Sequence, residues 1–515
     1  MDRDKVIGSK LGITAVVMTG ALMAMIDITI VNVALNDIRA SFGTPLDQIG
    51  WVSTGYMMAN IVVIPMTGWF QRRFGFRRYF AGSVALFSVA SALCGLAWDL
   101  PSLVLFRALQ GLGGGAIIPT AQAILFARYP KEEHGMAAAM FGLGAITGPL
   151  LGPTIGGYLI EISSWHWIFM VNVPIGIVAT LMAFRFVQQP NFAPPRGAEA
   201  RVDVLGIVLL AVGMASLQFV LEEGNREGWD SFLILVLGAV AAVTLITFIV
   251  HELETDQPVV DLRVFGQRSY AAGTGLNFLT GFALFAGSYM FSLFAGSVIR
   301  YSALDIGKVF LVSGIVSIFV MPLMGRLAPK MDARILLMIG VVIVSASQVV
   351  ASRLTQAAGF WDMVHPNMIR SLGLGFIFIP VSVLALSDLP AHQRGSATGL
   401  FNLTRELGGS LGTALMGMLV SDDMKRFGSY LSENVNVYNP LVQENLSQTA
   451  MTVGSQTFQR DLVAESLLEL KVANQAMVLS FENGFRWTAL AMALGVVLVF
   501  LLKRPQGGAA PVDAH

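Results

Sequence analysis

Apolar residues arrive in long blocks separated by short polar connections. A helix rises 1.5 Å per residue, so roughly 20 mostly apolar residues cross a 30 Å hydrocarbon core. Fourteen stretches reach that scale. They are 13–35, 50–70, 79–98, 102–126, 137–160 and 166–187, then 203–221 and 231–250, then 271–298, 304–325, 335–352, 363–388, 396–420 and 484–502. The first is too long for a signal-peptide core and no clear cleavage site follows it, so it is expected to stay as a span. The pattern predicts an all-α polytopic membrane protein with fourteen transmembrane helices.

Composition sharpens this. Apolar residues make up 55% of the 515 and charged residues 13%, against about 25% charged in soluble domains. There is too little charge to coat a soluble globule. Basic and acidic residues cancel at 33 each, so net charge offers nothing that points to nucleic acid. The placement of the basic residues carries more. With the N-terminus inside, the inner segments hold twenty Lys and Arg and the short outer loops five. The positive-inside rule then puts both termini in the cytoplasm.

The chain also matches itself. Pro65, Gly68 and Arg77 align with Pro322, Gly325 and Arg334 at an offset of 257. Pro130, Gly135, Ala137, Phe141, Leu143, Gly148, Leu151 and Gly152 align with Pro390, Gly395, Ala397, Phe401, Leu403, Gly408, Leu411 and Gly412 at 260. Spans one to six thus pair with spans nine to fourteen as parallel repeats. The expected organisation is a six-helix bundle at 1–187, a linker and two inserted helices at 188–270, a second six-helix bundle at 271–505 and a tail at 506–515. Within the second bundle, 421–483 reads as an extracytoplasmic loop. Two bundles rocking about a site at their interface describe a secondary transporter.

Ionisable residues deep in spans are costly and mark function by default. Five stand out: Asp27, Arg107, Arg370, Arg405 and Glu406. Asp27 lies about 12 Å from the outer end of span one and Arg107 about 8 Å from that of span four, at 1.5 Å per residue. They can meet if the helices are neighbours. Burial disfavours a charged carboxylate and a nearby arginine favours it, so the pair can carry a proton that a cationic substrate displaces, or serve as a static ion pair. Gln110 and Gly111 share the face of Arg107. Arg370 sits three residues off the repeat register and reads as a snorkelling structural arginine. Arg405 and Glu406 point about 100° apart on one helix and are expected to pair with other helices, or to hold a proton.

Gly144, Gly148, Gly152 and Gly156 leave one bare face on span five, while Pro149 and Pro153 favour a bend. A hinge or gate between bundles and tight static packing both fit. The run Gly111–Ala116 mimics a dinucleotide fingerprint but lies inside an apolar span with no strand before it. Cys94 is a single cysteine and the six histidines show no ligand spacing, so neither metal nor cofactor is expected. The segment 421–483 holds eight acids against four bases, with an amphipathic helix expected after Gln456. It suits partner docking, an exit lining or a membrane-surface loop.

With these residues in view, the chain resembles the fourteen-helix drug:proton antiporters of the major facilitator superfamily, the EmrB/QacA type, over roughly 10–505. The segment Asp27-Ile28-Thr29-Ile30-Val31-Asn32-Val33-Ala34-Leu35 resembles the family's first-helix motif. Leu103, Arg107, Gln110 and Gly111 resemble its fourth-helix motif, linked to proton transfer. Gly148, Gly152, Pro153, Gly156 and Gly157 resemble its antiporter motif. Trp165-His166-Trp167-Ile168-Phe169 with Asn172-Val173-Pro174 resembles the start of helix six, and Ser432-Glu433-Asn434-Val435 with Asn439-Pro440 a periplasmic loop of the EmrB subgroup. Departures are Asn36 for a proline, Ala139 for a glycine, His166 for an arginine and Arg72 for the aspartate of the helix 2–3 loop motif.

The resemblance implies export of hydrophobic compounds such as drugs in exchange for protons, with Asp27, Arg107 and Glu406 as coupling residues. In Gram-negative relatives it further implies the inner membrane, a periplasmic adaptor protein and an outer-membrane channel. An importer or facilitator of the same fold is the alternative. A polytopic membrane enzyme is a third reading, but no H-E-x-x-H, G-x-S-x-G or carboxylate cluster supports it, and no Walker motif suggests ATP.

Overall fold

The computed structural model describes residues 3–187, 203–256, 258–328, 330–386, 389–390, 393–433, 435, 440–452 and 460–501. The expected linker, apart from Asp203, and the expected tail lie outside the described residues. Everything regular among the described residues is helical.

The longer helices are α1 (Arg3–Phe42), α2 (Trp51–Phe74), α3 (Phe76–Gly95), α4 (Leu100–Arg128), α5 (His134–Ile162), α6 (Asn172–Phe186), α7 (Val204–Glu227), α8 (Phe232–Glu254), α9 (Arg268–Ser297), α10 (Ala303–Leu327), α11 (Ala333–Ala351), α12 (Phe360–Leu386), α13 (Arg394–Glu433) and α14 (Arg460–Ala493). Local chemistry sets several starts. Asp99 caps α4 by accepting from the Ser102 amide, and the Ser102 hydroxyl accepts from the Asp99 amide in return, a reciprocal cap on two free donors. Ser302 caps α10 by accepting from the Asp305 amide and Asp332 caps α11 by accepting from the Arg334 amide.

Eleven described helices are long and apolar enough to cross a bilayer, and twelve if the bent α5 counts as one span. The expected spans 50–70 and 396–420 are helical, within α2 and α13, but outside that set. Polar groups dilute them: Ser53, Thr54, Tyr56 and Asn60 lie within α2, and Arg405-Glu406 within α13. Length and composition alone thus pick out eleven or twelve crossings among the described residues and leave the exact count of fourteen unconfirmed.

The segment 421–483 departs further from a loop. Helix α13 runs on to Glu433, a short helix covers Pro440–Thr452, and α14 begins at Arg460. Forty residues make α13 about 60 Å long at 1.5 Å each, twice the hydrocarbon core. It packs along α14, with Asn483 donating to Asp423 at 2.6 Å. Pairing two helices shields apolar faces that an isolated loop would leave in water.

Packing follows the small residues. Helices α2 and α4 touch backbone to side-chain-free backbone, since a Cβ on Gly111 would lie 3.0 Å from Ala59 Cβ and 3.2 Å from Asn60 N. Gly281 and Gly408 let α9 and α13 close in the same manner. Helix α5 lies against α10, and α13 against α2 and α4. Arg72 donates to Ser396 Oγ at 2.9 Å and Asn402 Nδ2 to Gln122 Oε1 at 2.6 Å. These bonds tie α2 and α4 to α13 at the end of the molecule rich in basic residues. Helix α7 straddles the same seam near the other end, with Thr54 donating to Glu223 and Gln218 donating to Ser410. Helix α8 packs on α7 and is the least buried span, 17% inside the protein.

Candidate functional site

Helices α1, α3, α4 and α6 meet around Asp27, which is 0% exposed, and Arg107, 1% exposed. The two close at 2.6 Å between Arg107 Nη1 and Asp27 Oδ2. On the other carboxylate oxygen, Oδ1 accepts from Gln110 Nε2 and from Asn172 Nδ2, both at 2.9 Å. Those two amides also donate to Ser91 Oγ, which passes its own proton to the Phe169 carbonyl. Arg107 spends its Nε on the Val52 carbonyl at 3.2 Å and lies 4.2 Å from the Tyr56 ring centroid. A buried charge is tolerated only when paired and hydrogen-bonded, and both charges here are. The carboxylate takes donors on both oxygens. Oδ1 has both of its lone pairs engaged, so a proton arriving there must displace a donor, while a proton on Oδ2 cancels the charge that holds Arg107.

The expected meeting of Asp27 with Arg107 is thus what the structure places here, with Gln110 in the same cluster. Gly111 stands beside them as the thin spot that brings α2, and so Tyr56, against α4. Ser91 and Tyr56 carried no signal in the sequence beyond their spans. Asn172 did, inside the helix-six motif.

The glycine face of α5 meets α1 rather than crossing to the other half of the chain. Cβ atoms on Gly144, Gly148, Gly152 and Gly156 would run into Met18, Met25, Thr29 with the Ile26 carbonyl, and Ile30 in turn. Gly157, by contrast, has open space beside it. The axis of α5 bends by 41° about Pro149 and Leu151. Pro153 has no N–H to offer the Pro149 carbonyl. Thr29 of α1 supplies a hydroxyl in its place, Oγ1 donating to Pro149 O at 3.1 Å. The antiporter-motif residues therefore dock the helix that carries Asp27, two residues from Thr29.

Arg405 and Glu406 were expected to find partners on other helices. They bond to each other instead, Arg405 Nη2 to Glu406 Oε1 at 3.2 Å. Their backbones diverge, but both side chains are long enough to fold together. Phe378 lies 6.0 Å from the guanidinium of Arg405, whose Nη1 is buried with no partner. Glu406 keeps 14% side-chain exposure. Arg370, expected to snorkel, is 5% exposed and turned inward; with Gln348 it flanks Gly287, which offers no side chain to push it out. Among the described residues no cluster of three His, Cys, Asp or Glu could hold a metal, and Cys94 is buried beside Gln110. Arg72, in place of the motif's aspartate, donates to Ser396 across the seam and to the Pro258 carbonyl.

A profile of the Major Facilitator Superfamily matches residues 17–413. The chain belongs to that superfamily. It is a membrane transporter, not an enzyme. The Multidrug export protein EmrB of Haemophilus influenzae is 32% identical over 507 residues, covering 97% of each chain. The Colistin resistance protein EmrB of Acinetobacter baumannii is 29% identical over 501 residues, 96% of each. The crystal structure of the human organic anion transporter MFSD10 superposes with a TM-score of 0.57 at 13% identity, over 94% of this chain and 99% of that one. That last likeness concerns the fold alone.

Proposed function

We propose that this transporter exports hydrophobic or amphipathic compounds, drugs among them, in exchange for protons taken up at Asp27. The observation that carries the reading is the Asp27–Arg107–Gln110–Asn172 cluster: a carboxylate out of water whose protonation removes the charge that holds Arg107 against α1. Relatives named for multidrug export and colistin resistance along nearly the whole chain support the export direction.

The physical cycle is short. With Asp27 ionised, Arg107 is held on α4 against α1. A proton on Asp27 cancels the attraction and frees Arg107 toward Tyr56 and Glu406. Rocking of the segments 1–187 and 271–505 then exchanges the side that is open. The tie of Arg72 to Ser396 and of Gln122 to Asn402 closes one end in the state described. We assign that end to the cytoplasm, in the inner membrane, with both termini there. Each proton entering down 100 mV supplies about 2.3 kcal/mol, a concentration ratio of roughly fifty for one-to-one exchange of a neutral compound. The paired extensions of α13 and α14 beyond the membrane suit docking of a periplasmic adaptor that leads to an outer-membrane channel.

The test is ethidium efflux from cells lacking their own pumps, with and without a protonophore. Efflux that the protonophore stops is the expected result. Equal efflux with the gradient collapsed, or gradient-driven uptake from the outside, would remove the exchange reading in favour of a facilitator or importer.

A further inference from the structure

The second half of the chain buries a cation that the Asp27 cluster does not use. Arg370 is 5% exposed and sits ten residues, about 15 Å, along α12 from Phe360, halfway through a 30 Å core. None of the ion pairs among the described residues includes it, and its Nε is buried without a partner. Arg370 lines a cavity with Gly287 and Phe291 of α9, Ser347 and Gln348 of α11, and Asn367. Two donors converge on it. Arg370 Nη1 and Gln348 Nε2 lie 2.7 and 2.8 Å from where a Cβ on Gly287 would be. Ser347 and Asn367 already donate to carbonyls of their own helices.

The first half offers a comparison, although Arg370 stands three residues, nearly one helical turn, beyond Asn367, the position that matches Arg107 at the 260 offset. Gly287 follows Asp27 by 260 residues, the offset of the internal match. Arg107 faces Asp27; Arg370 faces Gly287. Ser91 on α3 has its counterpart in Gln348 on α11. One half carries its own anion, and the other has the same cation and a glycine. An isolated arginine out of water costs several kcal/mol unless an anion accompanies it.

We propose that Arg370 and Gln348 form a binding site for a small monovalent anion, either a halide or the carboxylate of an amphipathic cargo. The free space beside them is about that of one water, which admits a single carboxylate oxygen entering head first, admits a halide once the Arg370 and Gln348 side chains shift outward, and excludes a tetrahedral oxyanion. Only the cargo-carboxylate form rests on the export reading.

The experiment uses the purified full-length chain in detergent and follows thermal unfolding by tryptophan fluorescence. Sodium sulfate, a tetrahedral dianion too large for the site, sets a constant ionic strength and is replaced stepwise by chloride or by benzoate. A saturable rise in the unfolding midpoint is expected with at least one of them. Response to benzoate alone identifies a carboxylate site; response to chloride, with or without benzoate, identifies an inorganic-anion site. Arg370→Gln and Gly287→Asp, the latter supplying a tethered carboxylate, are expected to raise the half-saturating concentration at least tenfold, while Arg370→Lys retains a weaker response. Gln348→Ala is expected to weaken it tenfold and decides the matter if Arg370→Gln does not fold. No saturable rise in the wild type, or an unchanged response in Gly287→Asp and Gln348→Ala, overturns the proposal. Because no transport is measured, this result is separate from the fate of the export reading.

Discussion

Replacing Asp27 by Asn removes one charge from a pair whose members are 0% and 1% exposed. The Coulomb attraction at 2.6 Å is about 6 kcal/mol at an effective dielectric of 20, offset by several kcal/mol of desolvation for each ion. What the substitution leaves behind matters more. Arg107 keeps the Val52 carbonyl at 3.2 Å, Gln110 Oε1 at 2.7 Å and the Tyr56 ring, so the loss belongs at the low end of the ~3–5 kcal/mol for breaking a buried pair. About 3 kcal/mol is a factor of roughly 150 in the folded-to-unfolded ratio. The paired change Asp27→Asn with Arg107→Gln removes both charges and is expected to regain most of that stability, because a neutral buried pair carries no uncompensated ion. Proton-driven efflux is expected to be lost in both. Thermal unfolding in detergent and drug uptake into everted vesicles under an imposed pH gradient read the two effects separately. A single variant as stable as wild type would refute the buried-pair argument, and pH-driven transport surviving in it would refute the coupling role.

Gly111→Ala places a methyl group 3.0 Å from Ala59 Cβ and closer to the Tyr56 carbonyl, so α2 and α4 are expected to move apart at a cost of about 1–3 kcal/mol, seen as lower thermal stability together with lower efflux. Thr29→Val removes the hydroxyl that serves the Pro149 carbonyl and is expected to cost about 1–3 kcal/mol for the unpaired acceptor; Thr29→Ser should be near wild type, and equal stability of the Val and Ser variants would refute the role. Hydrogen bonds from Ser102 hold the exposed Asp99 carboxyl below its usual range. The capped form is therefore favoured fully above the ordinary aspartate pKa of about 3.9 and fades only as pH falls through the depressed value. Protection of the first turn of α4 against hydrogen exchange, corrected for the intrinsic rate, should accordingly stay constant in wild type from pH 7 down to pH 5 and weaken only in stronger acid, and loss of protection in wild type above pH 5 would contradict this.

Much of this protein is legible in its amino-acid order. Blocks of apolar residues near twenty long have one solution in lipid, because a helix satisfies its own backbone hydrogen bonds and nothing else that short does. The basic residues announce an orientation, and Asp27 and Arg107 announce themselves as charges where charge is expensive. The sequence by itself thus determined the helices, their approximate ends and the residues that need an explanation. Which of those residues meet was decided by the tertiary structure, since helical periodicity states which face a residue occupies and says nothing about the neighbour across from it. Ser91, Asn172 and Tyr56 gain their parts only because α1, α3, α4, α6 and α2 converge. Thr29 serves the Pro149 carbonyl only because α1 lies against α5. Arg405 and Glu406 pair with each other because long side chains can bridge an angle that the helix geometry alone seemed to forbid. Arg370 stays inside for the complementary reason: glycine on a facing helix makes room that only packing can reveal.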